Sequence, residues 1–381
     1  FLDSIPETTI TWRVDWRSGG EITADTKQRI RELHERKVHH IGTQITPMHQ
    51  WDKKPQMLPE YTTVDIDGNP IRVQKPGMGA TFSKQYWMNL LDPHWQEMLL
   101  TQVKEMIDLG VEGVVVDEPT FNKEVIYKAG GTFDQYSVDG FRNYLKAKYS
   151  PSELKDKFDI PDIDSFNLKD YLIEHNMKDT WNRNQFPPEP ITYEFAQFQL
   201  VESAKFWRKF SDEVREYARE SYGREAFFAM NAAPEFPTHF MPADFMDYLV
   251  GEHFYFSGGN EVPKSSVVIK LSEGLSPNMV ILVEVKHDRG ELPSATRNLF
   301  KYAFGDIYSS AGKMITDAGN RFMTMRGWNY VEPFVSYDID EAAKYVSFAN
   351  AHTELYGLEE PAQVGVCLLY TSPSPRDLST S

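Results

Sequence analysis

Residues 113–119 read Gly-Val-Val-Val-Asp-Glu-Pro, and this stretch decides the fold. Three consecutive β-branched residues predict a short buried strand, and Pro119 stops the hydrogen-bonded ladder because proline has no backbone N–H. Upstream, Asp92-Pro93 predicts the start of a helix, apolar residues follow at helical spacing, and Gly110 predicts its end. The sequence thus predicts a helix, a tight turn, a parallel strand and then two acids.

Strand patterns recur on both sides of this unit at the spacing of βα units. Before it, strands are predicted at 9–16 and 38–47, with a weakly marked third strand within 80–91. After it, strands are predicted at 226–231, 248–256, 279–287 and 312–317, with helices between them and a last helix at 339–356. Strands that alternate with helices form parallel βαβ units, and eight of them favour a closed (β/α)8 TIM barrel within the α/β class.

The predicted barrel covers residues 1–358, and the strand at 113–119 is its fourth. A long insertion follows strand 4 at residues 120–190, and segments of this length are usually functional covers or small helical subdomains. Residues 359–366 are expected to start a truncated following domain. Cys367 to Ser381 resembles the translated read-through of a sequencing adapter at the end of a metagenomic gene fragment, and a Ser/Pro-rich disordered tail is the alternative.

Composition excludes several classes of partner and cofactor. The chain of 381 residues carries 40 Lys and Arg against 56 Asp and Glu, a net charge of −16, which disfavours nucleic acid and anionic membranes. A single cysteine, Cys367, excludes an internal disulfide and a cysteine-based zinc site. Because the predicted strand ends carry neither a Gly-rich phosphate loop nor tight metal-ligand spacing, no cofactor and no metal are expected. The sequence is compatible with either of two compartments, the cytoplasm or the periplasm of a bacterium.

Carboxylates dominate the polar residues at the predicted strand ends, where barrel enzymes place their active sites. Glu284 interrupts the apolar run 279–285 and by alternation shares a face with Leu282 and Lys286. It is either a functional acid or half of a buried ion pair. For Asp117 and Glu118 the alternative to function is helix capping.

Two carboxyl groups that face each other across a barrel mouth suit glycoside hydrolysis. One protonates the leaving oxygen and the other attacks the anomeric carbon, at a separation of about 5–5.5 Å in retaining enzymes. Sugars also require flat aromatic surfaces and hydrogen-bonding groups. No functional pattern surrounds five of the histidines, namely His49, His94, His175, His239 and His352. The candidates for substrate binding are Asp117, Asn231, Glu252, His253, Tyr255, Asp317, Trp16 and Trp328.

The run from Asp92 to Pro119 also resembles a known family. Asp-Pro-His-Trp-Gln followed by Leu-Gly-Val-Glu-Gly-Val-Val-Val-Asp-Glu-Pro is similar to the third-to-fourth strand segment of bacterial glycoside hydrolases around family 42, the β-galactosidase-like proteins of clan A. Residues 141–150 resemble the short helix that those enzymes carry after the fourth strand, and 361–366 the start of their trimerisation domain.

The resemblance implies a retaining mechanism with Glu118 as acid/base and Glu284 as nucleophile, a β-galactoside-like substrate and a homotrimer. The clan has Asn where this chain has Asp117, so Asp117 either replaces that Asn at the sugar 2-hydroxyl or is itself the reacting group, paired with Glu252. A catalytically inactive barrel that binds carbohydrate is the third interpretation.

Overall fold

The computed structural model describes residues 11–15, 24–35, 41–50, 61–73, 85–116, 125, 130–182, 189–231, 245–256, 279–286 and 351. The strands in these ranges are β1 (Thr11–Asp15), β2 (Ile41–Ile45), β3 (Met48–Gln50), β4 (Gln85–Trp87), β5 (Gly113–Val116), β6 (Phe227–Asn231), β7 (Tyr248–Phe256) and β8 (Met279–Lys286). The helices are α1 (Ala24–Glu35), α2 (Pro93–Asp108), α3 (Gln135–Lys148), α4 (Pro151–Phe158), α5 (Leu168–Glu174), α6 (Lys178–Asn182) and α7 (Pro190–Tyr222).

The main sheet has six strands, and their spatial order, β1-β2-β5-β6-β7-β8, is also their order along the chain. All neighbouring strands in this sheet are parallel. The molecule therefore belongs to the α/β class. The predicted eighth strand at 312–317 and the helix at 339–356 fall almost entirely outside the described residues, as does any closure of the sheet into a barrel. The carboxyl ends of the six strands share one edge, which we call the carboxyl edge.

One predicted strand is wrong. β2 pairs directly with β5 through four residue pairs from Gly42↔Gly113 to Ile45↔Val116, which leaves no place between them for a third parallel strand. The segment 80–91 instead contributes β4, which pairs antiparallel with β3 in a separate two-stranded sheet. In the described sheet, Gly113–Val116 is the third strand of six.

The helix before β5 forms as the sequence predicts. Asp92 accepts a hydrogen bond from His94 N at 2.8 Å, Pro93 occupies the first turn, and Gly110 has φ +100°, a conformation that favours glycine. The buried side of α2 is Trp95, Leu99, Val103, Met106 and Ile107. Because this apolar stripe packs against the sheet, α2 fixes the point at which the chain enters β5 between β2 and β6.

Helices cover one face of the sheet. Ile41 packs with Ile30 and Leu33 of α1 and Met106 of α2, and the Phe228 ring lies 5.9 Å from Phe210 of α7. Since Phe228 is in register with Val114, and Val114 with Thr43, these positions share a helix face. Gln44, Val115 and Ala229 alternate with them and define the other face, which we call the site face.

Helices α3 to α6 pack with the first half of α7 around a separate hydrophobic core, and we call this group of helices the helical cluster. Its buried side chains include Phe141, Leu154, Leu172, Trp181 and Phe195, and Ile66 from the loop after β3 joins them. The short helices α3 and α5 lie within the segment 120–190 that the sequence predicts as an insertion. None of the described helices is long and apolar enough to cross a membrane.

Candidate active site at the carboxyl edge

Half of the predicted site residues lie in described strands as backbone positions. Asn231 is the last residue of β6, Glu252, His253 and Tyr255 lie in β7, and Glu284 lies near the end of β8. The others, Asp117, Glu118, Asp317, Trp16 and Trp328, lie outside the described residues. Asp117 directly follows Val116, the last residue of β5.

The backbone register brings three of these positions to one face of the sheet. Asn231 pairs with Val250, Glu252 with Leu282, and Glu284 with Phe254. Because Ala229 pairs with Tyr248 and in-register residues of a parallel sheet share a face, all three positions belong to the site face. The structure thus brings a carboxamide position and two acid positions together on neighbouring strands.

His253 and Tyr255 occupy alternate positions of β7 and therefore the helix face. The register does not bring them together with Glu252 and Glu284. Their proposed contact with substrate stays a prediction.

Gln44 is a polar residue of the site face that the sequence analysis passed over. It is fully buried, at 0% exposure, and lies in register between Asp15 of β1 and Val115 of β5. Its only sequence signal is an amide side chain at the second-to-last position of a short strand. A fully buried amide has to be hydrogen-bonded, so Gln44 adds a fixed polar group just below the carboxyl edge.

The loops after β2 and β5 are joined at the same edge. Met88 N donates to Pro47 O at 2.8 Å, two residues after β2, and the Asn89 side chain donates to Asp134 Oδ1 at 2.6 Å. Asp134 also caps α3, since its carboxylate accepts from Ser137 N at 2.8 Å and Ser137 Oγ at 3.0 Å. Burial raises the pKa of Asp134 above its ordinary value against the opposing effect of these hydrogen bonds. These hydrogen bonds hold the two loops together at one side of the carboxyl edge.

Within the described part of the chain, no group of three or more His, Cys, Asp or Glu side chains is placed to hold a metal ion. The polar positions of the site face named above are those of carboxylates and amides, which suit proton transfer and nucleophilic attack by an acid.

Comparisons with known proteins give low similarity. No protein-family model matches the sequence, and a search of curated proteins finds no significant match. Among solved structures, a β-galactosidase from the psychrophilic Marinomonas ef1 is similar over 75% of this chain and 45% of its own, at 13% identity and TM-score 0.48. An exo-β-agarase is similar over 90% and 45%, at 10% identity and TM-score 0.49.

An α-galactosidase from Thermus thermophilus matches over 84% of this chain and 52% of its own, at 13% identity and TM-score 0.38. The chain thus spans about half the length of these proteins or less. At TM-scores below 0.5 these similarities assign neither a fold nor an activity, so both are argued from the residues of this chain.

Proposed function

We propose that this chain is a retaining glycoside hydrolase built on a barrel of parallel strands, with Glu118 as general acid/base and Glu284 as nucleophile. The observation that carries the proposal is the parallel register of β6, β7 and β8, because it puts Asn231, Glu252 and Glu284 on one sheet face. β5, which Asp117 and Glu118 follow in the chain, lies beside β6 in the same sheet.

In the proposed reaction, Glu284 attacks the anomeric carbon while Glu118 gives its proton to the leaving oxygen. The glycosidic bond breaks and a covalent glycosyl-enzyme forms. Glu118, now a carboxylate, then takes a proton from water, whose oxygen attacks the anomeric carbon and releases Glu284. Asp117 and Asn231 orient the sugar hydroxyls.

The other proposed substrate contacts are Glu252, His253, Tyr255, Asp317, Trp16 and Trp328. A net charge of −16 favours a neutral glycan over an acidic one. A β-galactoside-like substrate and a homotrimer rest on the sequence resemblance alone.

A second assignment is favoured by strand alternation. Val115 belongs to the site face, so one further step of alternation leads from Val115 to Asp117 rather than to Glu118. In that assignment Asp117 pairs with Glu252, which lies on the same face. The first assignment requires the chain to leave regular alternation after Val116, where β5 ends, three residues before Pro119.

Four substitutions separate the two assignments: Glu118→Gln, Glu284→Gln, Asp117→Asn and Glu252→Gln. We expect the first two each to lower turnover of aryl glycosides by about 10²–10⁴-fold or more, the size of a lost acid/base group. Glu112→Gln is the matched control, because Glu112 stands at the opposite end of β5, where Oε2 accepts from Ile41 N at 2.8 Å, and glutamine retains an acceptor there. Azide is expected to restore turnover to Glu284→Ala and form a glycosyl azide.

Each alternative has its own outcome. Full activity in Glu284→Gln together with large losses in Asp117→Asn and Glu252→Gln would show that Asp117 and Glu252 are the catalytic pair. Equal losses in Glu112→Gln would indicate damage to the fold instead of the site. A wild-type protein that binds glycans and hydrolyses none is the inactive carbohydrate-binding barrel.

A further inference from the structure

Three aromatic rings lie next to one another near the carboxyl edge. The centroids of Tyr61 and His94 are 6.5 Å apart with planes inclined at 51°, and those of His94 and Tyr136 are 6.4 Å apart with planes inclined at 61°. The His94 side chain is 65% exposed and Tyr136 is 38% exposed. We call these three residues the rim cluster.

Backbone contacts fix the rim cluster at the same edge of the sheet as the proposed active site. Tyr61 O accepts from Asn89 N at 2.9 Å, and the preceding residue, Met88, is bonded to Pro47 just after β2. His94 lies in the first turn of α2 and Tyr136 in the first turn of α3. Because α2 runs down to the start of β5, its first turn lies at the carboxyl edge.

Hydrogen bonding leaves the cluster with one donor and one acceptor for a ligand. His94 Nδ1 lies 3.1 Å from Asp92 Oδ1 and 3.2 Å from the Tyr136 hydroxyl. With the ring hydrogen on Nδ1, His94 donates to these oxygens, the Tyr136 hydroxyl can donate to a ligand and Nε2 accepts. With the ring hydrogen on Nε2, the Tyr136 hydroxyl donates to Nδ1 and can accept from a ligand while Nε2 donates, so either tautomer offers one donor and one acceptor.

Helix capping accounts for the acids behind the rings but not for the rings themselves. Asp92 caps α2 and Asp134 caps α3, and both roles need only backbone donors and a small side chain. An exposed tyrosine and an exposed imidazole are not needed for either cap. Aromatic faces flanked by a donor and an acceptor match a sugar ring, which has an apolar C–H face and hydroxyls at its edge.

We propose that Tyr61, His94 and Tyr136 form a subsite that binds one sugar unit of a neutral oligosaccharide, outside the unit that is cleaved. This inference rests on the proposed function, since it makes the substrate an oligosaccharide longer than a disaccharide. The sugar lies between the inclined rings, and two of its hydroxyls bond to the Tyr136 hydroxyl and His94 Nε2.

The test is binding, measured by calorimetry on proteins that carry Glu284→Gln so that the sugar is not hydrolysed, with galacto-, gluco- and manno-oligosaccharides, comparing each hexasaccharide with its disaccharide. Adding Tyr136→Ala is expected to weaken binding of the preferred hexasaccharide about two- to tenfold, the size of one aromatic contact. Tyr136→Phe, which retains the ring, should lose less. Tyr193→Ala is the matched control, because Tyr193 is an exposed tyrosine, at 57%, on the helix α7.

Equal hexasaccharide affinity of the Glu284→Gln protein with and without Tyr136→Ala, or no binding by the Glu284→Gln protein, would overturn the rim subsite. Neither result concerns hydrolysis, which the aryl glycoside assay reports separately. A wild-type protein that cleaves no glycoside but loses hexasaccharide binding on Tyr136→Ala would overturn the proposed hydrolase and leave the subsite standing. Folding of each variant is checked by its thermal unfolding midpoint.

Discussion

Asp134 connects two loops at the carboxyl edge and has a raised pKa because it is enclosed by protein. The folded state therefore holds the Asp134 proton to a higher pH than the unfolded state does. Between the two pKa values the folded state binds more protons, so the free energy of unfolding contributed by this group falls as pH rises. The contribution is fully present below the unfolded value of about 3.9 and is lost above the raised one.

Asp134→Asn removes this titration while it retains an acceptor for Ser137 N. We expect the stability of the variant relative to wild type to increase from about pH 4 to about pH 7, measured by urea unfolding at both pH values. A relative stability that decreases over the same interval would show that the hydrogen bonds, not burial, decide the pKa of Asp134.

The importance of Asn89, His94 and Asp134 could not be predicted from the sequence. Asn89 and Asp134 are hydrogen-bonded although they are 45 positions apart, and His94 and Tyr136 are hydrogen-bonded at a separation of 42 positions. No local pattern of spacing relates such residues, so only the packing of the loops shows that they meet. Glu284 could be singled out, because a lone acid in an apolar strand is visible locally.

Gly113 allows β5 and β6 to approach each other. A Cβ atom at this position would lie 2.3 Å from Phe227 O and 2.4 Å from Phe227 Cγ. The carbonyl belongs to the backbone of β6, so the clash cannot be relieved by turning a side chain. The close approach explains why a glycine begins this strand.

Gly113→Ala is expected to lower the free energy of unfolding by about 1–3 kcal/mol or more, the usual cost of overpacking. The measurement is urea unfolding followed by circular dichroism, with turnover recorded at a temperature where both proteins are folded. An unchanged unfolding midpoint would mean that β5 and β6 can separate at little cost.

The unit of α2 and β5 could be predicted because all its signals are local: a cap, a proline, an apolar stripe, a closing glycine and a β-branched run. The prediction of a parallel strand at β4 is wrong because the signals that would identify its pairing are not local. Its partner, Met48–Gln50, lies far upstream, and a three-residue strand has no pattern that distinguishes parallel from antiparallel pairing. The order of the long strands followed from the alternation with helices.

Helix α7 joins the two packed regions of the molecule. In its first half, the Phe198 ring lies 5.6 Å from Phe141 of α3. In its second half, Phe206 lies 5.7 Å from Trp95 of α2, and Phe210 packs on Phe228 of β6. With 33 residues in one continuous helix, α7 is expected to transmit the loss of packing in one region to the other.

Phe198→Ala tests this coupling, because Phe198 is buried, at 1% exposure, and lies in the half of α7 that faces the helical cluster. Its truncation is expected to cost about 3–5 kcal/mol. If the two regions unfold together, hydrogen exchange of the protected amides in α3 and in β5 will accelerate by the same factor. Phe210→Ala, in the other half, should produce the same pattern from the opposite side. Acceleration confined to α3 would show that the helical cluster opens by itself, and the proposed site could then be studied without it.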